Sequence, residues 1–297
     1  MNELKLSVVI PAYNEEQTLP GVITALQAEL CSAAIPHEIV VVNDNSGDQT
    51  AEVVLAIREN DHRVCLVNRS PPNGFGRAVR AGLDQITGDV VIVYMADASD
   101  HPADVVRYYR KLEEGYDCVF GSRFIKGSRV VEYPIVKLVV NRIVNRLLQW
   151  FFWCPFNDLT NAFKAYRTTV ARECGPYRAS HFNITIEMSL SAMIRKYNIA
   201  QVPISWTGRT WGSSNLRLGE MGRRYLATLL KVVAERLLIA DDLLIERLAA
   251  SAKRESQSID QERRLENLER RVAELEGTAR LNEARIKPSP AFSRTQS

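Results

Sequence analysis

The sequence predicts a doubly wound α/β fold, a mostly parallel sheet with helices on both faces, and three observations predict it. The first 125 residues alternate apolar, β-branched runs with amphipathic segments, the alternation that builds parallel sheets from strand–helix–strand units. The runs are hydrophobic at nearly every position, as in VVIVYM (Val90 to Met95), which is what a parallel strand covered on both faces requires. Polar clusters also follow the first, second and fourth runs, and in open α/β sheets ligands bind outside the carboxyl ends of the strands.

Strands are expected at Leu6–Ile10, Glu38–Asn43, Val64–Asn68, Val90–Met95 and Cys118–Gly121. Helices are expected to begin near Thr18, Asp48, Gly76 and Pro102. Thr18 reads as an N-cap, with Pro20 in the first turn, where a missing N–H costs nothing. Beyond residue 126 the pattern changes to a helix over Val136 to Phe152, with Arg142 and Arg146 spaced i, i+4. The aromatic cluster Trp150, Phe151, Phe152, Trp153 and Phe156 follows. A mixed region comes next, with a helix over Ile184 to Lys196 and a strand over Ala200 to Ser205. Arg217 to Ala250 then reads as a long helix carrying Lys231, Glu235, Asp242 and Glu246 on its polar side. The segments divide as 1–230 for the α/β domain, 231–250 for an amphipathic helix, 259–286 for a short coiled coil and 287–297 for a disordered tail. Leu265, Leu268, Val272 and Leu275 form the coiled-coil seam, a route to homo-oligomers.

Bulk properties narrow the function. At 297 residues the chain is long enough for one large α/β domain and an appendage. A net charge of +3, with 25% charged residues, gives no support for nucleic-acid binding. Cys31, Cys65, Cys118, Cys154 and Cys174 are odd in number and without metal-site spacing, so they read as reduced thiols of a cytoplasmic protein. MNELKLSVVIP lacks the pattern of a signal peptide. The strongly apolar run Leu147 to Asn157 falls short of the ~20 residues that span a bilayer, so any membrane contact is peripheral.

The chemistry concentrates in PAYNEE (Pro11 to Glu16), NDNSGDQT (Asn43 to Thr50) and MADASDHPAD (Met95 to Asp104). Turn and cap chemistry explains any one of them alone; three at one edge of a sheet mark a site. Asp97 and Asp100 stand just past the central strand, where a carboxylate pair helps a diphosphate by capturing a hard cation such as Mg²⁺ or Mn²⁺. Asp100 could also simply cap the helix at Pro102.

The stretches SVVIPAYNEE, EIVVVNDNSGDQT, GFGRAVRAGL, MADASDHPADV, GSRFIKG, NDLTNAFKAYR and RTWGSSNL occur in order over about residues 6 to 230. On these the chain resembles the family 2 glycosyltransferases of GT-A (Rossmann-like) fold, and within them the polyprenyl- or dolichyl-phosphate mannose and glucose synthases. The resemblance implies a nucleoside pocket at Pro11, Tyr13 and Glu15, with Asp44 contacting the base. Asp97 would serve the diphosphate, and Asp97 and Asp100 the metal, although the family's Asp-x-Asp motif has Ala96 and Ala98 at its positions here. Arg123 matches the arginine facing the transferred group and the acceptor phosphate, and Arg209 the late arginine near the diphosphate. Asp158 and Glu187 match acidic positions on the acceptor side.

The implied reaction is inverting, metal-dependent transfer of a hexose from GDP-mannose or a UDP-hexose to a polyprenyl phosphate at the inner membrane face. Transfer to a soluble hydroxyl is the alternative, with Asp158 or Glu187 as base, and a catalytically silent binding protein is a third reading. The Trp150 to Phe156 cluster suits either a core or an interfacial helix; the flanking arginines and the lipid acceptor favour the interface.

Overall fold

The computed structural model describes residues 4–208 and 218–239. Its centre is a seven-stranded sheet in the order β3-β2-β1-β4-β7-β5-β8. The strands are β1 (Leu6–Ala12), β2 (His37–Asn43), β3 (Val64–Asn68), β4 (Val90–Val93), β5 (Cys118–Ser122), β7 (Lys164–Arg167) and β8 (Ile199–Pro203). β1 pairs in parallel with both β2 and β4, and β2 with β3. All of β1, β2 and β4 is buried, as the hydrophobic runs Val8–Ile10, Ile39–Val42 and Val90–Val93 require.

Alternate residues of those strands feed two cores. Val8, Ile10, Val41 and Ile92 pack with Ile23 and Leu26 of α1 (Leu19–Ser32), Val54 of α2 (Thr50–Asn60) and Tyr108 and Leu112 of α4 (Pro102–Glu113). Val9, Val42 and Val93 pack instead with Val79 of α3 (Phe75–Leu83), Leu148 of α5 (Ile135–Phe152), Val170 of α6 (Thr168–Glu173) and Ile186 of α7 (Ile184–Ile194). Covering both faces is what makes the sheet doubly wound. α3 approaches it closely because Gly82 is bare: a Cβ there would lie 2.4 Å from Val9.

Three local features differ from the sequence expectation. β7 runs antiparallel between β4 and β5, where the sequence shows only the polar-looking Lys-Ala-Tyr-Arg. Lys164 is 1% exposed; its ammonium donates to Leu159 O at 2.6 Å and Thr185 O at 3.4 Å, and burial pulls its pKa down to about 7. The strand expected over Ala200 to Ser205 divides at Ile204, β8 joining β5 while β9 (Ser205–Thr207) forms a separate parallel ribbon with β6 (Arg129–Val131). Thr18 is the N-cap residue of α1 but makes no capping bond; its hydroxyl donates to the Glu15 carboxylate at 2.7 Å.

α5 splits the aromatic cluster. Phe152 is buried and Phe156 packs on the same core. Trp150 and Trp153 are 72% and 88% exposed, and Ile135, Val136, Val139, Ile143 and Leu147 are exposed as well. Among the described residues no helix is long and apolar enough to cross a membrane. α8 (Leu218–Ile239) closes the described chain. The coiled coil, the tail and the part of the amphipathic helix beyond residue 239 lie outside the described residues.

Candidate active site

The carboxyl ends of β1, β2, β4 and β5 open into one cleft of about 670 Å³. Pro11, Tyr13, Glu15, Asp44, Asp97, Asp100 and Arg123 all line it. These sequence-selected residues, drawn from four strand ends, therefore meet in one cavity. Arg209 lies outside the described residues.

At one end, the turns after β1 and β2 are laced together. Asn14 and Asn45 take left-handed backbone conformations, φ 55° and 60°, which asparagine tolerates better than most residues. The Asn14 amide oxygen accepts Gly47 N–H at 2.8 Å, and Ser46 accepts Asn14 N–H at 3.1 Å. Asp44, at the end of β2, accepts Gly74 N–H at 2.5 Å and pairs with Arg69. Burial pushes its pKa up, against the pull of Gly74 N–H and Arg69. Facing it are Asn73, Gly74 and Phe75, where the chain enters α3, with His181 and Phe182 from the connection between α6 and α7. The Phe75 and Phe182 rings stack at 4.4 Å.

In the middle, the turn after β4 holds Asp97 and Asp100. β9 pins this turn through Thr207 N–H to Ser99 O at 2.9 Å, and Tyr94 donates its hydroxyl to the Asp100 carbonyl. Ala98 sits at φ 58°. Asp100 does not cap α4: His101 is the N-cap residue, and its Nδ1 accepts Ala103 N–H at 3.2 Å. The Asp100 side chain is 3% exposed, and neither carboxylate oxygen has a hydrogen-bond partner. Burial, then the nearby Asp97 charge, pushes its pKa up to about 8.

A buried, unsatisfied carboxylate costs free energy, and a divalent cation beside it removes that cost. Asp97 and Asp100 thus fit the expected ion. Among the described residues no cluster of three His, Cys, Asp or Glu side chains is placed to hold a metal. Two carboxylates suit an ion that takes its remaining ligands from phosphates and water.

At the far end, Arg123 follows β5. Asp158 accepts its Nε at 2.8 Å, one terminal amine at 2.7 Å and its backbone N–H at 3.1 Å. The other terminal amine reaches the Tyr133 hydroxyl at 3.3 Å, and the guanidinium lies within 6 Å of the Phe124, Tyr133 and Trp206 rings. Burial opposes its charge, and the Asp158 carboxylate more than offsets that.

Two acidic residues expected on the acceptor side are both engaged by partners. Asp158 is 2% exposed and occupied by Arg123. Glu187 is absent from the cleft lining; its carboxylate is taken by the Arg178 and Ala179 N–H groups and Lys231. Neither stands free to take a proton from a hydroxyl.

The sequence reading also missed residues. Glu132, Tyr133, Pro134 and Lys137, around the start of α5, line the cleft; all but Tyr133 are exposed, which puts them at its mouth, and Arg224 of α8 lines it too. Lys137 lies on the first turn of an apolar helix, in a stretch with no acidic residue from Tyr133 to Asn157, and that isolation was a usable signal.

Known proteins resemble this chain in sequence and in fold. The sequence profile described as Glycosyl transferase family 2 matches residues 7–175. The polyprenol monophosphomannose synthase of Mycolicibacterium smegmatis is 29% identical over 216 residues, covering 70% of this chain and 80% of that protein. The undecaprenyl-phosphate 4-deoxy-4-formamido-L-arabinose transferase of Serratia proteamaculans is 32% identical over 166 residues, covering 55% and 49%. The dolichol-phosphate mannosyltransferase of Pyrococcus furiosus is 28% identical over 223 residues, covering 72% and 60%. The chain thus spans four fifths of the first relative and half to three fifths of the others. Among solved structures, glucosyl-3-phosphoglycerate synthase from Mycobacterium tuberculosis superposes with a TM-score of 0.59 at 24% identity, over 77% of this chain and 80% of that one. The same enzyme with Mn²⁺, UDP-glucose and phosphoglyceric acid superposes at 0.58 and 24% identity, over 77% and 79%. At that identity the likeness shows the shared fold.

Proposed function

The chain belongs to glycosyl transferase family 2, and from that premise we propose that it moves a mannose- or glucose-type hexose from GDP-mannose or a UDP-hexose to a polyprenyl phosphate. The reaction would occur at the inner face of the membrane, with inversion at the anomeric carbon. The observation that carries this reading is the continuity between the cleft and α5. Tyr133, Pro134 and Lys137 belong to the cleft mouth, and the same helix goes on to expose Ile143, Leu147 and Trp150. An acceptor with an anionic head and an apolar chain is matched by a cation at the mouth and an apolar helix leading away from it. Lys137, Arg142 and Arg146 lie in a stretch with no acidic residue from Tyr133 to Asn157, which suits an anionic lipid surface.

In this reading Tyr13, Asp44 and the α3 wall hold the nucleoside, and Asp97 and Asp100 would hold Mg²⁺ or Mn²⁺. When bound, that ion offsets charge on the leaving diphosphate. Lys137 receives the acceptor phosphate. Arg123, fixed by Asp158 and its aromatic neighbours, keeps positive charge between two approaching anions. A phosphate nucleophile is already ionised and needs no base, which fits the full engagement of Asp158 and Glu187. Transfer to a hydroxyl would need a base, and the acidic residue at the mouth is Glu132.

The test supplies radiolabelled GDP-mannose, UDP-glucose and UDP-galactose in turn with Mg²⁺ or Mn²⁺, with and without undecaprenyl phosphate. Label extracted into butanol only when the lipid is present supports the proposal. Label found only in a water-soluble product would overturn the acceptor assignment and direct attention to Glu132.

A further inference from the structure

The nucleoside side of the cleft is a double wall. Its inner layer is the start of α3; its outer layer is the connection between α6 and α7, which contributes His181 and Phe182. The layers touch closely. Gly76 N–H donates to Ser180 O at 3.1 Å. A Cβ at Gly74 would lie 2.3 Å from Ser180 O, and one at Gly76 would lie 2.5 Å from Ala179 O. Small displacements of this connection therefore move the wall itself.

The connection is held from behind at two points. Glu187, 1% exposed on the first turn of α7, accepts Arg178 N–H at 2.9 Å and Ala179 N–H at 2.7 Å. Lys231 of α8 pairs with the same carboxylate and reaches Glu235 at 3.2 Å and Pro176 O at 3.3 Å. Asn183 forms the second tether: its oxygen accepts His181 N–H at 3.2 Å, and its amide donates to Thr228 Oγ1 of α8 at 2.9 Å. His181 and Phe182 lie between the tethers. Thr228 and Lys231 are three residues apart, one turn of the same helix face.

We propose that Glu187 and Asn183 are positioning residues for the nucleotide, and that α8 sets donor affinity through Lys231 and Thr228. The proposal rests on the reading of this cleft as a nucleotide-sugar site. A buried ion pair adds little net stability over a well-packed apolar pair. What this one supplies is direction: a carboxylate aimed at two successive N–H groups fixes the backbone that carries His181 and Phe182.

The test uses the full chain with Glu187→Gln, Lys231→Met and Lys231→Arg, and Leu26→Ala as a variant that loosens the core on the other face of the sheet, away from the tethers. Backbone amide exchange over residues 176–183 is followed without ligand, and binding of UDP and of GDP is measured by calorimetry without metal. Glu187→Gln and Lys231→Met should speed exchange at Arg178 and Ala179. They should weaken the preferred nucleotide on the order of tenfold, the low end of what losing an outer-shell partner costs at a metal site. Lys231→Arg should restore both, and donor KM should rise far more than kcat falls. Leu26→Ala should lower the melting temperature and leave affinity unchanged. Lys231 is partly exposed, so Lys231→Met decides the matter if Glu187→Gln does not fold. Faster exchange with unchanged affinity, or equal weakening in Leu26→Ala, would overturn the proposal. A wild-type chain that binds neither nucleotide would overturn the functional reading first, whatever the exchange data show.

Discussion

Asp158 holds Arg123 on three donors, its Nε, one terminal amine and its backbone N–H, at 2.7 to 3.1 Å. A guanidinium fork and a carboxylate meet best in this arrangement, and burial makes each partner depend on the other. Asp158→Ala should leave Arg123 charged, buried and unpaired, a loss on the order of 3–5 kcal/mol. Chemical denaturation would measure it. Arg123→Lys should lose kcat by at least ~10²-fold with donor KM little changed, because a point charge cannot reproduce the fork. A rise in donor KM at constant kcat would place Arg123 on the donor alone.

Asp44 has a different assignment, and a different signature. It faces the nucleoside end and touches Gly74 and Arg69, so Asp44→Ala should weaken nucleotide binding equally with and without metal. Calorimetry with UDP and GDP, each with EDTA and with Mn²⁺, separates this from Asp97→Ala, which should abolish only the metal-dependent part. Unchanged affinity in Asp44→Ala would remove it from the site.

How far the sequence reveals this site depends on what each residue does. β1, β2 and β4 were legible because burial on both faces leaves an unbroken apolar run, and Val64–Asn68 was placed to the residue. β7 was hidden because Lys164 sits in the core only by virtue of two carbonyl partners supplied from elsewhere, and no local pattern announces them. Asp44 and Asp97 were legible because topology puts strand ends at the cleft. The partners of Asp158 and Glu187 were not, since only tertiary contacts decide whether an acidic residue near a site is free or engaged. Lys137 was overlooked because a cation on a helix is ordinarily surface; it becomes notable once that helix is seen to start at the cleft mouth.

Asp100 makes the stability of the metal-free protein depend on pH. The native state keeps its proton up to about pH 8, whereas an unfolded aspartate loses it near ~3.9. Between these values the native state binds more protons, so stability falls as pH rises and levels off above the folded pKa. Asp100→Asn should remove this fall, flattening melting temperature against pH from 5 to 8 in EDTA. In the wild type, cation binding must expel that proton, so affinity for Mn²⁺ should rise over the same interval. Parallel melting profiles for wild type and variant would show that the carboxyl is not held protonated.

Lys137 and the outer face of α5 are assigned to one acceptor, and the two can be separated. Lys137→Ala should raise KM for polyprenyl phosphate about tenfold, the scale of one charge-assisted contact, with donor KM unchanged. Trp150→Ser with Trp153→Ser removes two side chains that are 72% and 88% exposed, so the fold should keep its melting temperature. Each buried aromatic side chain is worth roughly 1.5–3 kcal/mol when fully taken from water, and partial immersion of two should still change partitioning onto vesicles more than tenfold. Sedimentation with phosphatidylglycerol vesicles measures this, and phosphatidylcholine vesicles at raised salt isolate the part due to Lys137, Arg142 and Arg146. If α5 lies on the membrane, the double variant should lose vesicle binding and activity on lipid acceptor while keeping nucleotide affinity. Full vesicle binding by that variant would move the membrane contact off α5, and with it the path by which the acceptor reaches Lys137.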